Sequence, residues 1–357
     1  MNKIKYIGLD VHQASTSAAV RDETGKLVMQ TVMATRAAAI AEFLDGLRGT
    51  LHVTFEEGTY SAWLYDLLVR RVSKVVVCNP RKNALLKTGN KSDRIDALKL
   101  SELLRGDMLS PVYHGENSTR TLQELARSYQ ALTQDTTRVM SRLKAIYRGL
   151  AIPSGGKKLY SQRHRQQWLD QLQQPGTRRR ADRLYEQMDF LQSLRRKAKQ
   201  ELMVESRKHS VCARLRSIPY LGPIRAAVLV ARMQTPHRFR SKRQFWGYCG
   251  LGLETRSSAN YQQLDGHLQR SHKKVLIRGL NVDHNHDLKN VFKGAALSAS
   301  IFPGPLQEFY QERLAGGMKA EMAQLTLARK MAAIALTIWK KGERFEQTES
   351  TSSLSAT

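Results

Sequence analysis

The sequence contains little cysteine, few acidic residues and no long apolar run. Its 357 residues include three cysteines, Cys78, Cys212 and Cys249. That odd number, without metal-ligand spacing, argues against a zinc finger or a disulfide framework and favours reduced thiols in the cytosol. No segment has the roughly 20 consecutive apolar residues of a membrane-spanning helix, and the N-terminus lacks a signal-peptide pattern. We therefore expect no membrane partner.

Basic residues far outnumber acidic ones. Lys and Arg total 58 against 31 Asp and Glu, which gives a net charge of +27. Such an excess favours a polyanionic partner, and nucleic acid is the first candidate. Residues 157–216 alone hold 16 Lys or Arg against 6 Asp or Glu. This region suits a sequence-independent contact with a phosphate backbone, although a merely solvated surface has the same pattern.

The first hundred residues alternate between strand-like and helix-like segments. Periodicity and turn residues predict strands at 4–10, 17–21, 27–33, 52–55 and 72–78, and helices at 37–47 and 60–70. Three strands that pair as antiparallel neighbours come first, and alternating helix and strand follow. That order predicts an α/β layer domain.

Two aspartates mark the start of a further helix. Asp93 and Asp96 follow Ser92, a favourable N-cap residue, and apolar residues then recur at steps of three and four through residue 104. Both carboxylates lie in the first turn and point the same way. Acidic residues favour helix N-termini in any case. Alternatively, the pair holds Mg²⁺, which binds carboxylates together with substrate phosphates.

Other acids stand at the ends of predicted strands. Asp10 ends the first strand, and Glu56 and Glu57 directly follow the fourth. Strand ends are where sites gather in α/β sheets. These strand-end acids could therefore converge with Asp93 and Asp96. Four carboxylates are enough to hold two divalent ions for phosphodiester chemistry.

The hydrophobic period changes after residue 120. Nine residues recur at alternating steps of three and four: Leu122, Leu125, Tyr129, Leu132, Thr136, Val139, Leu143, Ile146 and Leu150. This heptad pattern predicts a coiled coil, or else a long helix that packs within its own domain. A second helical pattern over 184–202 could pair back on the first helix or with another subunit.

The C-terminal part is predicted to be mostly helical. Residues 215–231 have the form helix, Pro/Gly turn, helix, which fits a helix-hairpin-helix or an ordinary αα-turn. Residues 239–253 interleave aromatic and basic side chains, a pattern that serves core packing or stacking on unpaired bases. Residues 322–340 form an amphipathic pattern, and the Ser/Thr-rich tail 346–357 is predicted to be disordered.

Four segments, in this order, resemble one family: 6–10, 55–60, 91–97 and 217–223. The family is the DEDD transposases of insertion sequences, which include bridge-RNA-guided recombinases and relatives of the Piv invertase. The resemblance extends to about residue 345. It implies a RuvC-like (RNase H-like) domain at 1–115, a coiled-coil and basic helical region at 116–210, and a transposase domain with a helix-hairpin-helix-like turn at 211–345.

The resemblance also implies a set of catalytic residues: Asp10, Glu56, Asp93 and Asp96 as ligands of Mg²⁺, and Ser258 as a nucleophile. Glu57 is the alternative to Glu56, and Ser257 is the alternative to Ser258. The serine is placed by counting eight residues from Gly250. The family usually has glycine after the serine, where this sequence has Ala259.

The function implied is a transposase or recombinase that cuts and rejoins DNA through a serine-linked intermediate. Its implied partners are donor and target DNA, a structured bridge RNA, and further copies of the chain in a dimer or tetramer held by the coiled coil. Its implied location is the bacterial cytoplasm, at the nucleoid. Two alternatives stay open: a RuvC-like, metal-dependent junction nuclease without serine catalysis, and a nucleic-acid-binding protein without catalysis.

Overall fold

The chain folds into two compact units, residues 1–116 and 117–357. The computed structural model describes residues 3–82, 92–114, 119–256, 261–264, 267–270 and 276–346. Within these ranges, no helix is both long enough and apolar enough to cross a membrane.

The N-terminal unit is a mixed sheet with helices on both faces. Its strands are β1 (Ile4–Val11), β2 (Ser15–Arg21), β3 (Leu27–Ala34), β4 (Thr50–Glu56) and β5 (Lys74–Cys78), and its helices are α1 (Ala37–Asp45), α2 (Ser61–Leu68) and α3 (Asp93–Arg105). The strand order is β3-β2-β1-β4-β5. Pairing is antiparallel between β1, β2 and β3 and parallel between β1, β4 and β5. The predicted α/β sheet is confirmed.

Alternation along the central strand separates the two faces of this sheet. Ile7 and Leu9 are fully buried in the core that includes Ile40 of α1 and Leu64 of α2. Side chains of successive strand residues point to opposite faces. The intervening position, Gly8, therefore faces α3.

Helix α3 lies directly against the backbone of β1 at Gly8. A Cβ atom at this position would be 2.5 Å from the backbone nitrogen of Ser101 and closer still to the carbonyl oxygen of Ala97. Any side chain other than hydrogen would force the two elements apart. Glycine here sets the distance between the central strand and the helix that carries the two aspartates.

The C-terminal unit is mainly helical. Its helices are α4 (Arg120–Gly149), α5 (Arg165–Leu169), α6 (Pro175–Arg207), α7 (Ser210–Leu215), α8 (Pro223–Met233), α9 (Lys242–Tyr248), α10 (His286–Ile301), α11 (Pro305–Ala315) and α12 (Ala320–Lys341). Four short strands that we did not predict interrupt the helices: β6 (Leu253–Arg256), β7 (Tyr261–Leu264), β8 (His267–Arg270) and β9 (Leu276–Leu280). They form two-stranded pairs, β6 with β9 and β7 with β8.

The long helix α4 packs along α6 of the same chain. Several heptad positions of α4 are buried there, among them Val139 and Leu143. Tyr185 of α6 is also buried, and its hydroxyl donates a hydrogen bond to the carbonyl oxygen of Leu159 at 3.0 Å. Leu150, the last heptad position, is 50% exposed. Much of the heptad pattern therefore serves packing within one unit, and a coiled coil between subunits stays a prediction.

The predicted Pro/Gly turn lies between α7 and α8. Tyr220 in this turn has a positive φ of 64°, a conformation that non-glycine residues adopt at some cost. Arg225 stabilises the turn, because its Nη1 donates a hydrogen bond to the carbonyl oxygen of Tyr220 at 2.8 Å. Pro223 starts α8 after Gly222, a favourable first position for proline.

We predict that Gly8→Ala destabilises the N-terminal unit by about 3 kcal/mol or more, the upper range for overpacking. The added methyl group would overlap the backbone of α3. Urea unfolding followed by circular dichroism measures the change. Gly58→Ala is the matched control, because a Cβ at Gly58 meets nothing within 4 Å. Equal stability of the two variants would contradict the close approach.

Candidate metal centre

Asp10 lies near the carboxyl end of β1, on the face of the sheet that α3 covers. Its position follows from strand alternation, since Asp10 is two residues beyond Gly8. Only 20% of its side chain is exposed. The carboxylate is therefore held at the edge of the strand–helix interface instead of in bulk water.

His12 joins Asp10 and Asp93 in a three-residue cluster. Its Nε2 is 3.1 Å from Oδ2 of Asp10 and 3.5 Å from Oδ1 of Asp93. One ligand atom from each of the three side chains lies within 4.8 Å of the others. We did not predict His12, although the signal was present. Residues i and i+2 of an extended segment point to the same side.

Helix α3 carries both predicted aspartates in its first turn, and of the two Asp93 belongs to the three-residue cluster. The helix begins at Asp93, and Oγ of the predicted N-cap Ser92 accepts a hydrogen bond from the N–H of Ile95 at 3.4 Å. Asp93 is more than half exposed. Oδ1 of Asp96, by contrast, is buried without a hydrogen-bond partner among the described residues. An unpartnered, buried carboxylate oxygen is costly unless a cation satisfies it.

The charges at this centre oppose one another. Burial raises the pKa of Asp10 above its ordinary value of 3.8, and the negative charges of Asp93 and Asp96 raise it further. His12 acts in the opposite direction and lowers this pKa through its charge and hydrogen bond. The net effect is that ionised Asp10 is less stable in the folded chain than in water. A bound cation would reverse that balance.

Glu56 ends the strand beside Asp10. Leu9 pairs with Phe55 in the parallel ladder between β1 and β4. Asp10 and Glu56 are the next residues of these two strands, so they stand at the same edge of the sheet and on the same face. The register thus brings Glu56 towards the side of the sheet that carries Asp10.

Glu57 has a different environment. Its Oε2 is 2.6 Å from Nε2 of His114, and the His114 ring packs against Tyr65 with centroids 5.1 Å apart. Strand alternation directs adjacent residues to opposite faces. Glu57 thus has His114 as a partner of its own and is directed away from the face that carries Asp10 and Glu56.

The predicted nucleophile Ser258 and its alternative Ser257 lie outside the described residues.

Two curated transposases are similar to this chain. The transposase for insertion sequence element IS1111A of Coxiella burnetii is 22% identical over 286 residues, which cover 78% of this chain and 76% of that protein. The candidate transposase y4pF/y4sB of Sinorhizobium fredii is 29% identical over 150 residues. That second match covers 42% of this chain and spans 36% of the relative's length.

Family models match both units. Residues 7–151 match the DEDD transposase model of IS110, described as a transposase. Residues 212–281 match the transposase model of the IS116/IS110/IS902 family. The chain belongs to the DEDD transposase family of insertion sequences. The first match includes every acid that this DEDD transposase brings to the candidate centre.

The donor set of the DEDD transposase suits a divalent ion. Oxygen ligands lie about 2.0–2.6 Å from Mg²⁺ or Ca²⁺, so ligand atoms on opposite sides of one ion are separated by roughly 4–5 Å. The ligand atoms of Asp10, His12 and Asp93 fall within such a span. Asp96 is outside this three-residue group, but its buried Oδ1 has no hydrogen-bond partner among the described residues and would be stabilised by a cation nearby. The residues present therefore fit a divalent cation.

We predict that divalent ions raise the melting temperature of the wild-type protein but not that of Asp10→Asn. At about one hundred times its Kd, an ion that binds only the folded state adds ~2.7 kcal/mol of stability. The variant loses a ligand of the centre. Differential scanning fluorimetry with and without added ion measures the difference. Asp45→Asn, an exposed change at the end of α1, is the control.

Without divalent ions, we expect Asp10→Asn to be more stable than the wild-type protein. Because the pKa of Asp10 is raised in the folded state, metal-free stability falls as the pH rises from 3.8 through the raised value. Near pH 7 the ionised carboxylate is therefore a net cost, and Asp10→Asn should melt above wild type. A metal-free variant that melts below wild type at this pH would contradict the electrostatic account.

Proposed function

We propose that this chain is the transposase or recombinase of an insertion sequence and that it cuts and rejoins DNA in a Mg²⁺-dependent reaction. The observation that carries the proposal is the approach of Asp93 on α3 to Asp10 on β1, within 4.8 Å of each other and of His12. The likeness to transposases of other insertion sequences supports the same function.

We assign the metal ligands to Asp10, Glu56, Asp93 and Asp96. Glu56 is preferred to Glu57 because it shares a sheet face with Asp10. Bound Mg²⁺ supplies positive charge that stabilises the scissile phosphate and the departing 3′ oxygen. His12 is a further candidate ligand, since its Nε2 is within 3.5 Å of both Asp10 and Asp93.

We assign the nucleophile to Ser258. Its Oγ attacks the phosphorus and loses its proton, and the bond from phosphorus to the 3′ oxygen breaks. The 3′ oxygen leaves as a hydroxyl with a proton, while the 5′ phosphate stays esterified to the serine. Attack by the 3′ hydroxyl of another strand reverses these events and rejoins DNA. The phosphoserine ester retains the bond energy that this rejoining needs.

The architecture supports this assignment of roles. The order β3-β2-β1-β4-β5, with antiparallel and then parallel pairing, supports the RuvC-like (RNase H-like) fold that the resemblance implies. The acids and Ser258 belong to different units. We further propose that acids from one subunit and the serine of another subunit form the site, in a dimer or tetramer.

We further propose a structured guide RNA as the second nucleic-acid partner. Base pairing would select donor and target DNA, while the protein contacts the shape and backbone of the RNA. Exposed cations on α6 support a polyanionic partner: Arg179, Arg180, Arg196, Lys197 and Lys199. Such a protein would act on the nucleoid in the bacterial cytoplasm.

We predict that Asp93→Asn lowers DNA cleavage at least ~100-fold, because it removes a metal ligand. The assay incubates full-length protein with Mg²⁺, DNA that contains the element's junction and the element's flanking RNA. Products are separated on a denaturing gel. Asp45→Asn should retain activity, since Asp45 is exposed at the end of α1. Wild-type cleavage by Asp93→Asn would contradict the assignment of Asp93 as a metal ligand. If the wild-type protein itself did not cleave, a nucleic-acid-binding protein without catalysis would be the better interpretation.

Ser258→Ala separates the recombinase from a junction nuclease. Under the proposal, wild type forms a denaturant-resistant protein–DNA adduct and Ser258→Ala forms none. Ser257→Ala is the matched control and should keep the adduct. Continued strand cleavage with free ends in Ser258→Ala would instead establish a metal-dependent nuclease. That second candidate is favoured by one observation, namely that Asp10, His12 and Asp93 cluster within the N-terminal unit alone.

A further inference from the structure

A cavity of about 620 Å³ lies between α9, α11 and α12 in the C-terminal unit. Its wall combines aromatic and cationic side chains, chiefly Trp246, Phe309, Lys242, Arg329 and Lys330. Concave sites of this size bind small ligands or single groups of larger ones. The acids that form the candidate metal centre belong to the other unit, so this cavity is a separate feature of the chain.

Arg329 is the most constrained cation of this wall. Its Nε donates a hydrogen bond to the carbonyl oxygen of Leu251 at 2.7 Å, which fixes the guanidinium plane. Nη2 of the same group is buried and has no hydrogen-bond partner among the described residues. Burial also lowers the pKa of Arg329. Because Arg329 lines the cavity, an anion there would meet a guanidinium that is already oriented.

Trp246 packs beside Arg329. The indole Nε1 donates a hydrogen bond to the main-chain oxygen of Arg329 at 2.9 Å. This bond fixes the edge of the ring while the side chain remains partly exposed at the cavity wall. An aromatic ring and a guanidinium that line the same cavity offer stacking and charge recognition together.

Phe309 organises two further cations of the wall. The Nζ of Lys330 lies 4.1 Å from the centroid of its ring, and Cζ of Arg313 lies 4.8 Å from it. Burial lowers the pKa of Lys330, so a neighbouring anion would stabilise its charged form. Two exposed carboxylates, Glu308 and Glu312, also line the cavity. Four cations against these two acids leave the wall positive.

We infer that this cavity binds one unpaired nucleotide of a nucleic-acid strand, with the phosphate on Arg329 and Lys330 and the base against Trp246. The cavity holds a single nucleotide and cannot admit a base-paired duplex, because its volume is that of a small-ligand site. A bare phosphate would leave the aromatic part of the wall unused, whereas a nucleotide uses both parts. Single-strand sites commonly combine aromatic platforms with cations in this way.

The choice of nucleic acid as the ligand rests on the proposed function, whereas the cavity itself does not. The unpaired nucleotide can belong to DNA or to RNA, since both present a phosphate beside a base. Variants of Arg329 leave Asp10 and Asp93 unchanged, so the adduct and cleavage assays report on the proposed function independently. Failure of one proposal is therefore distinguishable from failure of the other.

The test compares single-stranded with duplex binding in the full-length protein. The probes are fluorescent strands of about 12 nucleotides, one of DNA and one of RNA, and a DNA duplex of the same sequence. Fluorescence anisotropy gives each Kd. Arg329→Gln and Lys330→Gln should weaken binding to at least one single strand by roughly 10-fold. Duplex binding should change by about twofold or less.

Lys341→Gln is the matched control, because it removes one charge from the exposed end of the same helix. It should change every Kd by about twofold or less. The strand whose affinity falls in the Arg329 and Lys330 variants identifies DNA or RNA as the source of the nucleotide. The inference would be overturned if the Arg329 and Lys330 variants lost equal affinity for single strands and for the duplex. It would also be overturned if their losses of affinity were no larger than those of Lys341→Gln. Lys330→Gln keeps the test valid if Arg329→Gln does not fold.

Discussion

The candidate metal centre depends on the absence of a side chain at Gly8. Helix α3 lies so close to β1 that a methyl group there would overlap the backbone of Ala97 and Ser101. Protein interiors are close-packed, so the overlap is relieved only if the helix moves. The first turn of that helix carries Asp93 and Asp96, and a displaced helix would take both carboxylates away from Asp10. A glycine in the middle of a strand thus sets the geometry of a site at the strand's end.

The close approach of α3 to β1 brings like-charged carboxylates near one another, and the fold stabilises some of these charges more than others. Asp93 and Asp96 gain from their position in the first turn of α3, where the N-cap Ser92 and the helix dipole favour negative charge. Asp10 lies on a strand and has no helix dipole of its own. His12 gives it one favourable neighbour, yet burial and the two other acids still raise its pKa. A cation bound at the centre would therefore lower the raised pKa of Asp10.

Local rules predicted the positions of the acids on their strand and helix better than they predicted the neighbouring residues. The preference of serine for helix N-caps and the helical spacing of apolar residues were enough to place Ser92 at the start of α3. The strand pattern was enough to place Asp10 at the end of β1. Strand alternation could also have indicated His12. The sequence favoured Glu56 over Glu57 because Glu56 directly follows the strand, but a shift of one residue in strand register would exchange the faces of the two side chains. Similarly, the heptad period of α4 defined an apolar face but not its partner α6, and four-residue strands such as β7 and β8 are too short for periodicity to show.

Charge in this chain has two separable tasks. Carboxylates repel phosphates, so an acidic centre approaches a nucleic acid only if a cation lies between them. The surplus of basic residues, a net charge of +27, attracts a polyanion from a distance, but its influence is screened beyond about 8–10 Å in physiological salt. The proposed approach of a nucleic acid to Asp10 and Asp93 would then need a cation held by those residues themselves. Under the proposed function, the affinity for nucleic acid and the cleavage of strands would therefore depend on different side chains, the first on the basic surface and the second on the acids.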